Sequence, residues 1–326
     1  MKAIRWGILA TGGIAHKLAE SIRVSEDGEM VAVASRTQEK ADAFGDKWHV
    51  PRRYPTYEAL AADPEVDVIY IATPHSHHYE NMLMCLEAGK HILCEKAFTL
   101  NAAQAEECIA LARANNLFLM EAMWMRYLPA ILQARRWVDE GRIGDVRLVK
   151  ADFCINVRYD PAHRLYNPHL GGGALLDLGI YPLSFTTMLL GLPDEVTATA
   201  HKSPEGVDEL DAITLRYGNQ VLAQLTCSMR ITLPIEATII GSEGNIRVHS
   251  PFFRPGALSL HQPGKAPKNH LIPYRSNGYI HEVEEVHGCL RAGLTESAQM
   301  TLAETLALMR LMDRMRANWG FRYPGE

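Results

Sequence analysis

The sequence predicts an α/β protein in which a doubly wound parallel sheet is followed by an α+β region with an open, mostly antiparallel sheet. Three observations carry this. Short apolar runs alternate with amphipathic helical stretches from the N-terminus to about residue 122. The first run ends in a small-residue turn, Ala10-Thr11-Gly12-Gly13-Ile14-Ala15, that opens directly into a helix. After Arg126 the pattern changes to alternating strands, with two helices closing the chain. At 326 residues the chain exceeds what one core usually serves, so a division into 1–122 and 123–326 is expected.

In order, residues 3–9 read as a strand and 13–25 as a helix with Ile14, Leu18 and Ile22 on one side. Residues 30–34 form the second strand, 38–48 a helix, and 56–62 a short helix capped by Thr56. A buried strand at 66–72 stops at Thr73-Pro74, and a helix at 77–88 is closed by Gly89. Strand 91–94, helix 101–115 and strand 117–120 complete the first region. Beyond it come a helix at 129–140, a strand at 146–155 and a polar loop. The apolar segment 171–190 follows, then antiparallel strands within 195–249 and helices at 278–292 and 301–319.

The N-terminal turn resembles G-x-G-x-x-G/A with Ala10 at the first glycine, the mark of a Rossmann dinucleotide fold. Backbone N–H groups at such a helix start face outward with the positive end of the helix dipole, which suits a pyrophosphate. Ala10, Thr11, Gly12, Gly13 and Ile14 are therefore candidate cofactor residues. The second strand ends at Ser35-Arg36, about 20 residues on, where an acidic residue would hold the ribose of NAD. A guanidinium there pairs with a 2′-phosphate and lies over the adenine, so NADP(H) is expected.

Function in such sheets collects at the C-terminal ends of strands, and three further ends carry polar groups. Thr73, Pro74, His75 and His77 suit the nicotinamide side of the cofactor. The histidines there do not reproduce a metal-ligand spacing, and no metal is expected. Glu95-Lys96 places an ammonium between apolar neighbours, able to donate to a substrate oxygen. The third end, 121–127, offers Trp124 and Arg126 to the cofactor and Arg126 and Tyr127 to the substrate. The loop after residue 155 adds Arg158, Tyr159 and His163, which suit a polyhydroxylated ligand. In the apolar segment Asp177 and Tyr181 fall four apart, on one face of a helix, and a lone buried Asp needs a partner or a use.

Six isolated cysteines without C-x-x-C spacing read as buried reduced thiols. A net charge of −5 with scattered basic residues offers no field for nucleic acid or an anionic membrane. No apolar run is read as reaching the roughly 20 residues that span a bilayer, and no signal-peptide core is read at the start, so a cytoplasmic location is expected.

Together the N-terminal turn, Glu95-Lys96, residues 121–127 and Gly-Gly-Ala-Leu-Leu-Asp-Leu-Gly-Ile-Tyr resemble the glucose–fructose oxidoreductase / inositol dehydrogenase / rhizopine-catabolism (Gfo/Idh/MocA) family over nearly the whole chain. Asp-x-x-x-Tyr, where the inositol branch has Asp-x-x-x-His, is similar to the dihydrodiol dehydrogenase / D-xylose dehydrogenase branch. The resemblance implies hydride transfer at a sugar, anhydrosugar or diol carbon, with Lys96 as catalytic lysine, Glu95 its neighbour, Tyr181 in the acid/base position and Asp177 fixing a neighbouring hydroxyl. It also implies a homodimer, or a dimer of dimers, through the open sheet. Family members usually have Glu-Lys-Pro with a cis proline, whereas Ala97 follows Lys96 here. Two other functions occur among relatives, a dinucleotide-dependent glycosidase and a non-catalytic NADP-sensing regulator. The presence of both Lys96 and Tyr181 argues against the regulator.

Overall fold

A computed structural model describes residues 3–326. In the first unit β1 (Ile4–Leu9), α1 (Gly13–Val24), β2 (Gly28–Ala34), α2 (Gln38–Trp48), β3 (Arg52–Tyr54), α3 (Tyr57–Ala61) and β4 (Val68–Ile71) follow one another. They continue with α4 (His78–Glu87), β5 (His91–Glu95), α5 (Ala102–Ala114) and β6 (Leu119–Ala122). All strand pairings in this sheet are parallel, in the order β3-β2-β1-β4-β5-β6. The order reverses between β1 and β4, so the turns after these strands flank the crevice where such folds bind ligands. Thr37, Thr56 and Asn101 cap α2, α3 and α5 by accepting the backbone N–H three residues on.

The second unit holds α6 (Pro129–Asp139), β7 (Val146–Cys154), α7 (Ile180–Leu190), β8 (Glu195–Lys202), β9 (Asp208–Tyr217) and β10 (Val221–Ser228). It goes on through β11 (Ala237–Gly241), β12 (Gly244–Val248), β13 (Ala257–His261) and β14 (Lys268–Leu271). Its sheet runs β14-β13-β12-β11-β7-β10-β9-β8, antiparallel except where β7 meets β10. One face, with Val149, Ile213, Leu225, Ile239 and Ile246, is buried; α6 and α7 pack on this sheet. The other face presents Lys150, Thr197, Thr199, Thr214 and Gln224, with Leu222, Leu148 and Ile240 in register across three strands.

Helices α8 (Ile280–Arg291) and α9 (Leu302–Asn318) close the chain. A single cut after residue 122 is not what the contacts give. The residues up to Trp124 group with Arg275–Met309, and Met125–Tyr274 groups with Arg310–Glu326. The cause lies in α8, which buries Ile280, Val283 and Val286 and packs on α1, while Trp6 donates to His287 at 2.9 Å.

The segment before α7 also differs from a single helix. Leu175–Gly179 is π-helical and leads directly into α7. Contrary to the sequence reading, Pro168–Leu190 is, at 23 residues, long and apolar enough by composition to cross a membrane. Its most apolar stretch is 89% buried within the protein, as a core segment is. All six cysteines are free and buried, as their isolation predicts. Burial pushes Cys85, Cys108, Cys154 and Cys289 up to about 12, which makes them poor nucleophiles at neutral pH.

Candidate active site

In the first unit the turn between β1 and α1 is built as a cradle. Ala10 stands at φ 77, the left-handed region that the family's glycine adopts freely, so Ala occupies it at some strain. Gly12 and Gly13 are exposed, and a Cβ built on either meets nothing within 4 Å. That open space in front of the start of α1 is what a pyrophosphate needs, and the residues fit it. Thr11 and Ser35 hydroxyls lie 3.0 Å apart and join this turn to the end of β2. Ser35 is buried and Arg36 exposed. Among the described residues Arg36 makes no ion pair or side-chain hydrogen bond, which leaves its fork available for a phosphate. It lies near Tyr57, whose hydroxyl burial pushes up and Arg36 pulls down.

Lys96 follows β5 at a cis Lys96-Ala97 peptide. Tyr70 donates to Glu95, and Glu95 also accepts from the Lys96 backbone N–H at 3.3 Å. Fully buried His78, the third histidine of this loop and not among the expected site residues, sets one ring nitrogen 2.9 Å from the Ala97 carbonyl and the other 2.8 Å from the Thr73 carbonyl. Its side chain thus ties the loop after Lys96 to the end of β4. Burial pushes His78 down to about 4, outweighing the two carbonyls, so at neutral pH it donates to one of them only. Burial, and then the Glu95 carboxylate, push the Glu282 carboxyl well up. His75 is buried and meets His78 edge-on, whereas Pro74 and His77 are exposed. Trp124 stacks on Tyr279, centroids 4.2 Å apart and planes 16° off parallel.

In the second unit the centre is Tyr181, 7% exposed at the start of α7. Its ring packs against Phe153 at 5.3 Å and Phe253 at 5.4 Å, and those two stack on each other at 4.5 Å. Phe253 sits in the loop between β12 and β13 that sequence periodicity left unassigned. Asp177 has a structural answer: Arg164 grips its two oxygens at 3.0 and 3.1 Å. This bidentate pair joins the polar loop to the π-helical turn.

Arg126 lies in the short helical turn Trp124–Tyr127 after β6. It is 1% exposed and donates to Ser184 and Thr187, at 2.7 Å to the Ser184 hydroxyl and at 2.8 Å to its carbonyl. A buried arginine needs such acceptors, and α7 supplies them. Tyr127 is likewise buried. Arg158 and Tyr159 line a cavity of about 630 Å³ with Tyr166, His201, Glu209 and Arg230. His163, Asp177 and Tyr181 are not among its lining residues.

Residues 4–123 match the family model described as an oxidoreductase family with an NAD-binding Rossmann fold, and 131–247 match the GFO/IDH/MocA C-terminal domain. The chain belongs to the GFO/IDH/MocA oxidoreductase family. Among curated relatives of this family member, trans-1,2-dihydrobenzene-1,2-diol dehydrogenase of Danio rerio is 38% identical, covering 98% of both chains. The D-xylose 1-dehydrogenase (NADP(+)) of Hypocrea jecorina is 37% identical over 98% of this chain and 93% of its own. A 3-ketoreductase from Actinomadura kijaniata, solved with NADP and TDP-benzene, is 27% identical with a TM-score of 0.88, covering 97% of this chain and 98% of its own.

Proposed function

We propose that this NADP(H)-dependent oxidoreductase acts on a CH–OH/C=O carbon of a sugar, anhydrosugar or diol. The observation that carries the reading is the open glycine cradle with an unengaged Arg36 beyond it in the first unit; in the second unit Tyr181, set in an aromatic wall, supports it. Bound NADP(H) supplies a hydride donor or acceptor. Thr11, Gly12, Gly13 and Ile14 would hold its pyrophosphate, and Ser35 and Arg36 its 2′-phosphate. Tyr181 exchanges a proton with the reacting hydroxyl, and Lys96 stabilises the phenolate, because a tyrosine of ordinary pKa near 10 needs a cation to act as a base near neutrality. Phe153 and Phe253 favour a substrate with an apolar face beside that hydroxyl.

The experiment is a panel of aldoses, anhydrosugars and dihydrodiols offered with NADP, with nicotinamide absorbance as the readout. Reduction with at least one class is expected. Silence across all three, with cofactor bound, would count against the reading.

We also infer a cytoplasmic enzyme that pairs two copies through the open sheet face. The row Leu222, Leu148 and Ile240 supports this, since an apolar row on an open sheet is stabilised by cover. Light scattering at micromolar concentration should report a dimer, and Leu222→Asp should shift it toward monomer. A monomeric wild type would refute the pairing.

A further inference from the structure

The glycine run ahead of Tyr181 has a use that the reaction does not explain. Gly173 stands at φ +123, and a Cβ there would lie 2.4 Å from Asp208 Oδ1. The missing side chain lets the Asp208 carboxyl reach the start of the helical segment. Asp208 is 1% exposed, and its Oδ2 accepts from the Leu175 N–H at 2.5 Å. That N–H belongs to the first turn, where no intrahelical acceptor exists, and its neighbours Leu175, Leu176 and Leu178 exclude water.

A second carboxyl stands behind the first. Asp211, fully buried on the same strand, accepts from the Cys227 thiol at 3.0 Å through Oδ2. The remaining oxygens, Oδ1 of Asp208 and Oδ1 of Asp211, are buried with no hydrogen-bond partner among the described residues, and the two carboxyls are close enough to shift each other's ionisation. Two buried carboxyls so placed are not both ionised, and a proton held by one supplies the missing donor. Burial pushes the Asp208 carboxyl up, while the Asp211 carboxyl, the Leu175 N–H and the positive charge of Arg316 each act to hold it down. Asp211 is pushed well up by burial and then by the charge of Asp208. Arg316 is itself held by Asp313 and Glu326, and the nearby Tyr323 hydroxyl donates to the Gly172 carbonyl at 2.6 Å.

We propose that Asp211 donates a shared proton to an ionised Asp208, and that this pair is the positioning device for Tyr181, fixing through Leu175 where the segment that carries Asp177 and Tyr181 begins. The π turn runs into α7 without a break, so a displaced start is carried to Tyr181. This rests on Tyr181 as the proton-transferring residue.

The test has two independent parts. Infrared difference spectra at neutral pH should show a protonated-carboxyl component that Asp211→Asn removes and that Glu282→Gln leaves in place; no loss in the Asp211→Asn difference spectrum overturns the shared proton. In kinetics, Asp208→Ala should lower kcat at least tenfold without changing KM for NADP(H), and Asp208→Asn, which keeps a weaker acceptor in place and is the safer variant for folding, should restore part of it. Made in a Tyr181→Phe background, either change should cost less than twofold further. If the losses multiply instead, the pair is merely structural and the positioning role is overturned. If Tyr181→Phe alone turns over normally, the reading of Tyr181 fails and the positioning role with it, while the infrared band still decides the proton.

Discussion

Tyr181→Phe is expected to lower turnover by about 10²–10⁴-fold while leaving NADP(H) affinity nearly unchanged, the range of a lost general acid or base. The substitution keeps the ring that packs on Phe153 and Phe253 and removes only the hydroxyl. Lys96→Met should do comparable damage, and the double variant should be little worse than either single, because groups acting as one unit are not additive. A packing role predicts differently. Were Tyr181 only a core aromatic, Phe would turn over almost normally, and were Lys96 independent, the losses would multiply. Either outcome would move the proton transfer to His77, His163 or Asp177. Of these, Asp177 is the most encumbered, since both its oxygens are taken by Arg164.

Arg36→Ala is expected to weaken NADP(H) by roughly tenfold to over a hundredfold, the equivalent of about 1.5–3 kcal/mol for a lost charge-assisted bond. NAD(H), which lacks the 2′-phosphate, should change far less. Titration of both cofactors by fluorescence or calorimetry checks it. Equal losses for the two, or a wild-type preference for NAD(H), would remove Arg36 from the site.

What could be read from the sequence follows from how local each signal is. Thr56 as a cap, Gly89 as a helix stop and the alternation of the first region act within a few residues, and the structure places them as read. Strand β14, Lys-Asn-His-Leu, has no apolar alternation and was invisible for that reason. The π turn lies in a stretch buried on all sides, so no polar face marks its period. Assignment of α8 to the first unit depends on its packing against α1, more than 250 residues away in sequence. The same limit applies to side chains. Arg126 is chemically a good anion ligand, and its anchoring on Ser184 and Thr187 follows from the fold and not from any local pattern. Phe253, Asp208 and His78 act through contacts that no spacing in the sequence encodes.

Net hydride transfer at a substrate carbon is tested most directly by following an isotope from substrate to cofactor. A substrate from the panel that carries deuterium on its reacting CH–OH carbon is turned over with NADP, and the released cofactor is examined by mass spectrometry and NMR. One deuterium on nicotinamide C4 for each product molecule is the predicted result. Cleavage of a glycosidic bond with the cofactor retained and no net reduced nicotinamide released would contradict it.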